Sequence, residues 1–144
     1  MSAAVVDTSV VIKWFVAAGE PHVEQAKALL TGHRLGDIRL HVPTLALYEI
    51  GNALLQCGRT LPPTEQMRCL TDVFALELTI HELTDQRANT ALQLAATYAV
   101  TFYDACFVAL AGELDVPLIT ADERLLRQCG TLPFVQSLAA SAHH

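Results

Sequence analysis

Four of the fifteen acidic residues stand where a charge is out of place. Glu49 lies in "LALYEIGNALL" (45–55) and Asp104 in "FYDACFVALAG" (102–112), each the only charged residue of its stretch. Asp7 closes the apolar run "AAVV" (3–6), and Asp122 follows Thr120 in "LITADERLL" (118–126). A helix that is apolar all round is normally buried. A carboxylate on such a helix is costly unless it is paired, hydrogen-bonded or bound to metal. Basic partners are scarce, with Lys13 and Lys27 the only lysines. Four carboxylates brought together repel one another unless a divalent cation holds them. Their motifs offer oxygen and no His, with Cys106 the one sulfur among them, which suits a hard ion, Mg2+ or Mn2+, over zinc. The chemistry such a group supports is phosphodiester hydrolysis. The ion polarises the phosphoryl oxygen and lowers the pKa of a bound water, and a second ion about 4 Å away steadies the leaving oxygen.

Each residue also admits a plainer role. Asp7 can cap the first helix alone or through Thr8 and Ser9, Asp122 can cap the helix of "ERLL", and Asp104 can cap a helix starting after "TFY". Glu49 falls within a helix, where an ion pair with Lys13 or an arginine is the alternative. Asn52, one turn beyond Glu49 on the same face, can orient a carboxylate or a water, or stand as a surface amide. Thr8, Ser9 and Thr120 can hold site carboxylates or serve turns. Tyr103 and Trp14 read as core or interface rather than as stacking platforms. His22, His33, His41 and His81 are scattered and are given no catalytic role. "GHRLGDIR" (32–39) reads as a solvated loop and not as a phosphate cradle.

The elements that must position these residues alternate. Strands are expected at 3–6, 39–42, within 77–83, at 116–120 and at 133–135. Helices are expected at 8–16, at 22–32 with a stop at Gly32, and at 44–58 with Thr44 as cap and Gly58 as stop. Further helices are expected at 62–76, 84–100, 101–115 and 121–130. This order predicts an α/β domain with a mostly parallel sheet. Ligands in such sheets collect outside the carboxyl ends of the strands. Asp7 and Asp122 therefore belong to one edge. The 144 residues suit a single domain, 1–144, with its core at about 3–136 and a tail at 137–144.

Composition narrows the classes. Hydrophobic residues make up 52% and charged residues 17%, which predicts a well-filled core or a sizeable partner surface. A net charge of −6 does not advertise a basic nucleic-acid face. No apolar run reaches the roughly 20 residues of a membrane span, and no signal peptide is expected. Cys57, Cys69, Cys106 and Cys129 lack metal-type spacing and read as reduced residues of a cytoplasmic protein. His143 and His144 are left out of the reasoning.

Taken together, "VVDTSVVIKWF", "YEIGNALL", "YDACFVALA" and "LITADERLL" resemble, in this order and separation, the PIN-domain family, and within it the ribonuclease toxins of VapBC-type toxin–antitoxin pairs. The resemblance spans about residues 3 to 136. It places the family's acidic positions on Asp7, Glu49, Asp104 and Asp122, and its accessory hydroxyls on Thr8 or Ser9 and on Thr120. It implies a Rossmann-like α/β/α sandwich with a central parallel sheet of about five strands. It further implies Mg2+- or Mn2+-dependent cleavage of single-stranded or structured RNA, a homodimer, and a small cognate antitoxin that covers the site. RNA binding then calls for a basic rim drawn from Lys13, Arg34, Arg39, Arg59, Arg68, Arg87, Arg124 and Arg127. The Leu-, Ala- and Met-rich block 44–76 is the expected interface with antitoxin or second copy. A metal-dependent DNA nuclease and a catalytically silent PIN-like binding module are the alternatives. A receiver module is disfavoured, because Asp7 stands alone after its strand and "LTIHEL" ends without an aspartate.

Overall fold

The first strand, β1 (Ser2–Val6), is buried over its last three residues, as a central strand covered on both faces must be. It pairs in parallel with β2 (Ile38–Pro43) on one side and with β4 (Leu118–Thr120) on the other. β3 (Thr79–His81) extends the sheet beyond β2, and β5 (Val135–Ser137) extends it beyond β4. The computed structural model describes residues 2–57 and 61–141, and its five strands run in the order β3-β2-β1-β4-β5, all parallel. The chain moves outward from β1 through β2 to β3 and then crosses back to β4. The switch point thus lies between β1 and β4, where a crevice opens at the carboxyl edge.

Among the described residues seven α-helices flank the sheet, as an α/β/α sandwich requires. They are α1 (Thr8–Val11), α2 (Val23–Leu35), α3 (Leu45–Gln56), α4 (Pro63–Ala75), α5 (Asp85–Tyr98), α6 (Phe102–Leu114) and α7 (Glu123–Cys129). Helix α6 is the core helix, with every residue from Ala105 to Ala111 buried and Phe107 fully so. That is why its sequence lacks a polar face. No single helix among the described residues is long and apolar enough to cross a membrane. Cys69, Cys106 and Cys129 are buried without a disulfide.

Several boundaries differ from those expected. The helix expected at 8–16 divides into α1 and a 3₁₀ turn, Ile12–Trp14. Helix α2 runs through Gly32 and stops at Gly36, whose φ of 80° supplies the left-handed cap conformation. Most of "GHRLGDIR" is therefore helix and strand, not loop. Thr44 does not cap α3 with its side chain. Its Oγ1 and its backbone N–H both donate to the His81 carbonyl, at 3.1 and 2.9 Å, and tie α3 to edge strand β3. Gly58, the expected stop, lies outside the described residues. The last strand falls two residues later than expected. The chain beyond 136 completes β5 and turns once more at Leu138–Ser141, with Leu138 fully buried.

Candidate active site

Asp7 answers the question of whether an acid at the end of a buried strand is only a cap. It stands at the start of α1, yet its side chain makes no capping bond. Its carboxylate accepts from Ser9 Oγ at 2.6 Å and from Thr120 Oγ1 at 2.8 Å, both on Oδ2. Thr120 in turn accepts from the Asp122 N–H at 3.0 Å, and Ser9 accepts from the Ala121 N–H at 3.0 Å. These bonds lash the carboxyl ends of β1 and β4 together. Asp7 is 5% exposed and has no basic partner among the described residues. Burial pushes its carboxyl above the ordinary range, against the pull of the two hydroxyls.

Glu49 comes from α3 and Asp104 from the first turn of α6. Glu49 accepts from Thr8 Oγ1 at 2.8 Å, and Lys13 pairs with Glu20 at 3.1 Å, so the Glu49–Lys13 ion pair is not formed. Asp104 is not a cap either. Thr101 begins α6 and its Oγ1 accepts from the Asp104 N–H at 3.0 Å. Asp104 thereby sits inside the first turn, where the helix dipole favours a carboxylate. Asp122 does cap α7, its Oδ1 accepting from the N–H groups of Arg124 and Leu125 at 2.9 and 3.2 Å. Capping leaves its second oxygen uncommitted, so both readings of Asp122 stand together.

All four carboxylates line one open cavity of 240 Å³, with Thr8, Ser9 and Asn52. Burial, then repulsion from Asp7 and Asp104, raises Glu49 despite the Thr8 bond. Burial, then Asp7 and Asp122, raises Asp104, and Arg124 only tempers it. Among the described residues no three acidic, His or Cys side chains converge into a closed ligand cage. The donor set still fits Mg2+ or Mn2+. Such an ion keeps several waters and takes only one or two carboxylates plus substrate phosphate, and these carboxylates are hard oxygen donors whose mutual repulsion Arg124 only tempers.

The basic rim does not form as expected. Lys13 is buried against Glu20, Arg68 pairs with Glu65, and Arg87 pairs with Glu113. Arg34 and Arg39 line a cavity by the N-terminal ends of β2 and β3, at the other end of the sheet. Arg59 lies outside the described residues. Arg124 lowers Asp104, and Arg127 lies in the last turn of α7. Tyr103, expected in core or interface, is 60% exposed beside Asp104, whereas Trp14 is partly buried and donates to the Ala26 carbonyl at 2.8 Å. Asn52 makes no bond to Glu49 and orients no carboxylate. Gln56 also lines the site. Sequence reading passed it over, although its spacing of seven residues from Glu49 marks the same helix face.

Comparison with known proteins follows from this geometry. A family profile described as the PIN domain matches residues 4–130. Ribonuclease VapC3 of Pyrobaculum aerophilum is 32% identical over 125 residues, covering 84% of this chain and 90% of the relative. Among solved structures, PAE2754 from Pyrobaculum aerophilum superposes with a TM-score of 0.66 at 22% identity, over 99% of this chain and 97% of its own. A toxin–antitoxin complex from Klebsiella pneumoniae gives a TM-score of 0.65 at 19% identity, over 94% and 97%.

Proposed function

The chain belongs to the PIN-domain family, and from that premise we propose that it is a Mg2+- or Mn2+-dependent endoribonuclease, the toxin of a type II toxin–antitoxin pair acting in the cytoplasm. One observation carries the reading: four carboxylates from four separate elements meet in one cavity that no lysine or arginine among the described residues lines. The matched VapC relative is named as a ribonuclease, which supports RNA over DNA as substrate.

Asp7 and Asp104 are the residues proposed to hold the ion, with Glu49 and Asp122 completing the set. When bound, the ion supplies Lewis-acid polarisation of the phosphoryl oxygen and a water acidic enough to yield hydroxide near neutral pH. The protein supplies orientation. Ser9 and Thr120 fix Asp7 through Oδ2, Thr8 fixes Glu49 through Oε1, and the first turn of α7 fixes Asp122 through Oδ1. Glu49 and Asp122 each keep one oxygen that receives no hydrogen bond from the described residues. Asp104 is held by the rigid start of the core helix. Ordering the donors before substrate arrives removes that reorganisation from the reaction.

The partner reading is a small antitoxin and a homodimer. A cavity of acids and neutral groups draws a basic antitoxin segment. Tyr48 and Leu55 on α3 and Met67 and Phe74 on α4 are each more than half exposed, which supports a buried interface in this block.

The test is incubation of the purified, partner-free chain with total cellular RNA and with single-stranded DNA, with Mn2+ and with EDTA. RNA fragments that form only with metal are expected. Cleavage of DNA alone would replace the reading by a DNA nuclease, and metal-independent or absent cleavage would overturn it.

A further inference from the structure

Resting on the ribonuclease reading, we infer that Asn52 and Gln56 are the residues of this site that read the nucleobases beside the scissile phosphate. The side-chain donors that line the cavity are few: Thr8, Ser9, Asn52 and Gln56. Thr8 donates to Glu49 and Ser9 donates to Asp7, so both hydroxyls already serve carboxylates. No lysine or arginine lines the cavity among the described residues. The two amides are thus its remaining side-chain donors. Both are exposed and neither makes a hydrogen bond within the described structure.

Their placement is ordered. Asn52 and Gln56 follow Glu49 by three and seven residues on α3 and share its face. At a rise of about 1.5 Å per residue the row extends about 10 Å from the carboxylate cluster. That distance matches about three nucleotides at a stacked spacing of about 3.4 Å. A single strand whose phosphate is held at Glu49 and Asp104 therefore lays the next bases along the amides.

The chemistry separates two tasks. The carboxylates and their ion engage phosphate, which is the same at every nucleotide and carries no sequence information. A carboxamide presents a donor and an acceptor side by side, the pattern that distinguishes base edges. Being neutral, it adds no net charge to attract phosphate and does not disturb the ion. Unpaired bases expose these edges, so the row suits a single strand or a loop rather than a duplex.

The experiment uses the full chain with Mn2+ on a randomised single-stranded RNA pool, with cut positions read by sequencing. Wild type, Asn52→Ala, Gln56→Ala and Gln56→Asn are compared. The readout is base preference at each position flanking the cut, a ratio within one sample that does not depend on the fraction of active protein. Wild type is expected to show a preference on one side of the cut. Each alanine variant should lower it by about tenfold at one position and raise KM more than it lowers kcat, while Gln56→Asn retains part of the preference. Wild-type cleavage with base preference unchanged in both alanine variants overturns the inference and leaves the ribonuclease reading standing. Absence of RNA cleavage by wild type overturns that reading and the inference with it.

Discussion

Asp7 is nearly buried, bonded to two hydroxyls and faced by other acids, an arrangement that costs free energy when every group is ionised. Asp7, Glu49 and Asp104 all have carboxyls held above the ordinary range, burial being the first cause in each. The unfolded chain therefore loses these protons first. Their contribution to stability is fully present below the ordinary carboxylate pKa of about 4 and is lost as pH rises through the raised folded values. On the proposed metal reading, a divalent cation would bind the ionised form and reverse the loss. Thermal melts should accordingly show a larger upward shift with Mg2+ at pH 8 than at pH 5; equal shifts at both would contradict the metal assignment. Asp104→Asn removes one charge from the cluster without changing its size. In EDTA at neutral pH this variant is expected to melt no lower than wild type. Glu49→Gln should weaken Mn2+ binding about tenfold, and calorimetry returning wild-type affinity would remove Glu49 from the ligands.

Thr101 caps helix α6, and the same turn that starts the helix places Asp104. Thr101→Ala is expected to cost about 1 kcal/mol in denaturant unfolding and to lower metal affinity as well. The edge strand β3 has its own sensitivity. His41 Nδ1 and His81 Nε2 lie 2.9 Å apart across β2 and β3, and burial, then neighbouring positive groups, lowers both imidazoles. A lowered folded pKa means stability present above about pH 6.5 and lost as pH falls through the folded values. Amide exchange in β3 should therefore quicken between pH 7 and pH 5 beyond its intrinsic change, and an unchanged protection factor would refute the coupling. The strand–helix alternation and the edge holding Asp7 and Asp122 were legible in the sequence, because apolar runs and periodicity are local signals. The end of α2 was not. Gly32 and Gly36 look alike in one dimension, and only Gly36 sits where the chain needs a positive φ. The hydroxyl links from Ser9 and Thr120 to Asp7 were named only as possibilities. Ser9 reaches Asp7 from two residues away, but Thr120 reaches Asp7 across 113 residues and Ser9 across 111, distances that local patterning does not report. The basic rim failed for the same reason, since side-chain pairing is decided by the fold.

At the scale of the molecule, the parallel sheet brings four distant carboxylates to one edge, and the core helix keeps one of them rigid. On the proposed ribonuclease reading, the negative overall charge leaves RNA attraction to the ion and to Arg124 rather than to a basic surface. Exposed Tyr48, Leu55, Met67 and Phe74 lie on two neighbouring helices. Light scattering should find a dimer for wild type, with Leu55→Asp shifted toward monomer; a wild-type monomer would count against the homodimer. The most direct test of the central claim is the rate of RNA cleavage against Mn2+ concentration for wild type and Asp104→Asn, each with circular dichroism to verify folding. The acid cluster as a metal site predicts saturable, EDTA-sensitive cleavage by wild type and a loss of at least about a hundredfold in the folded variant, the scale on which a first ligand to a catalytic ion matters. Equal rates for the two proteins across the titration would show that the reaction, if it occurs, does not pass through this site.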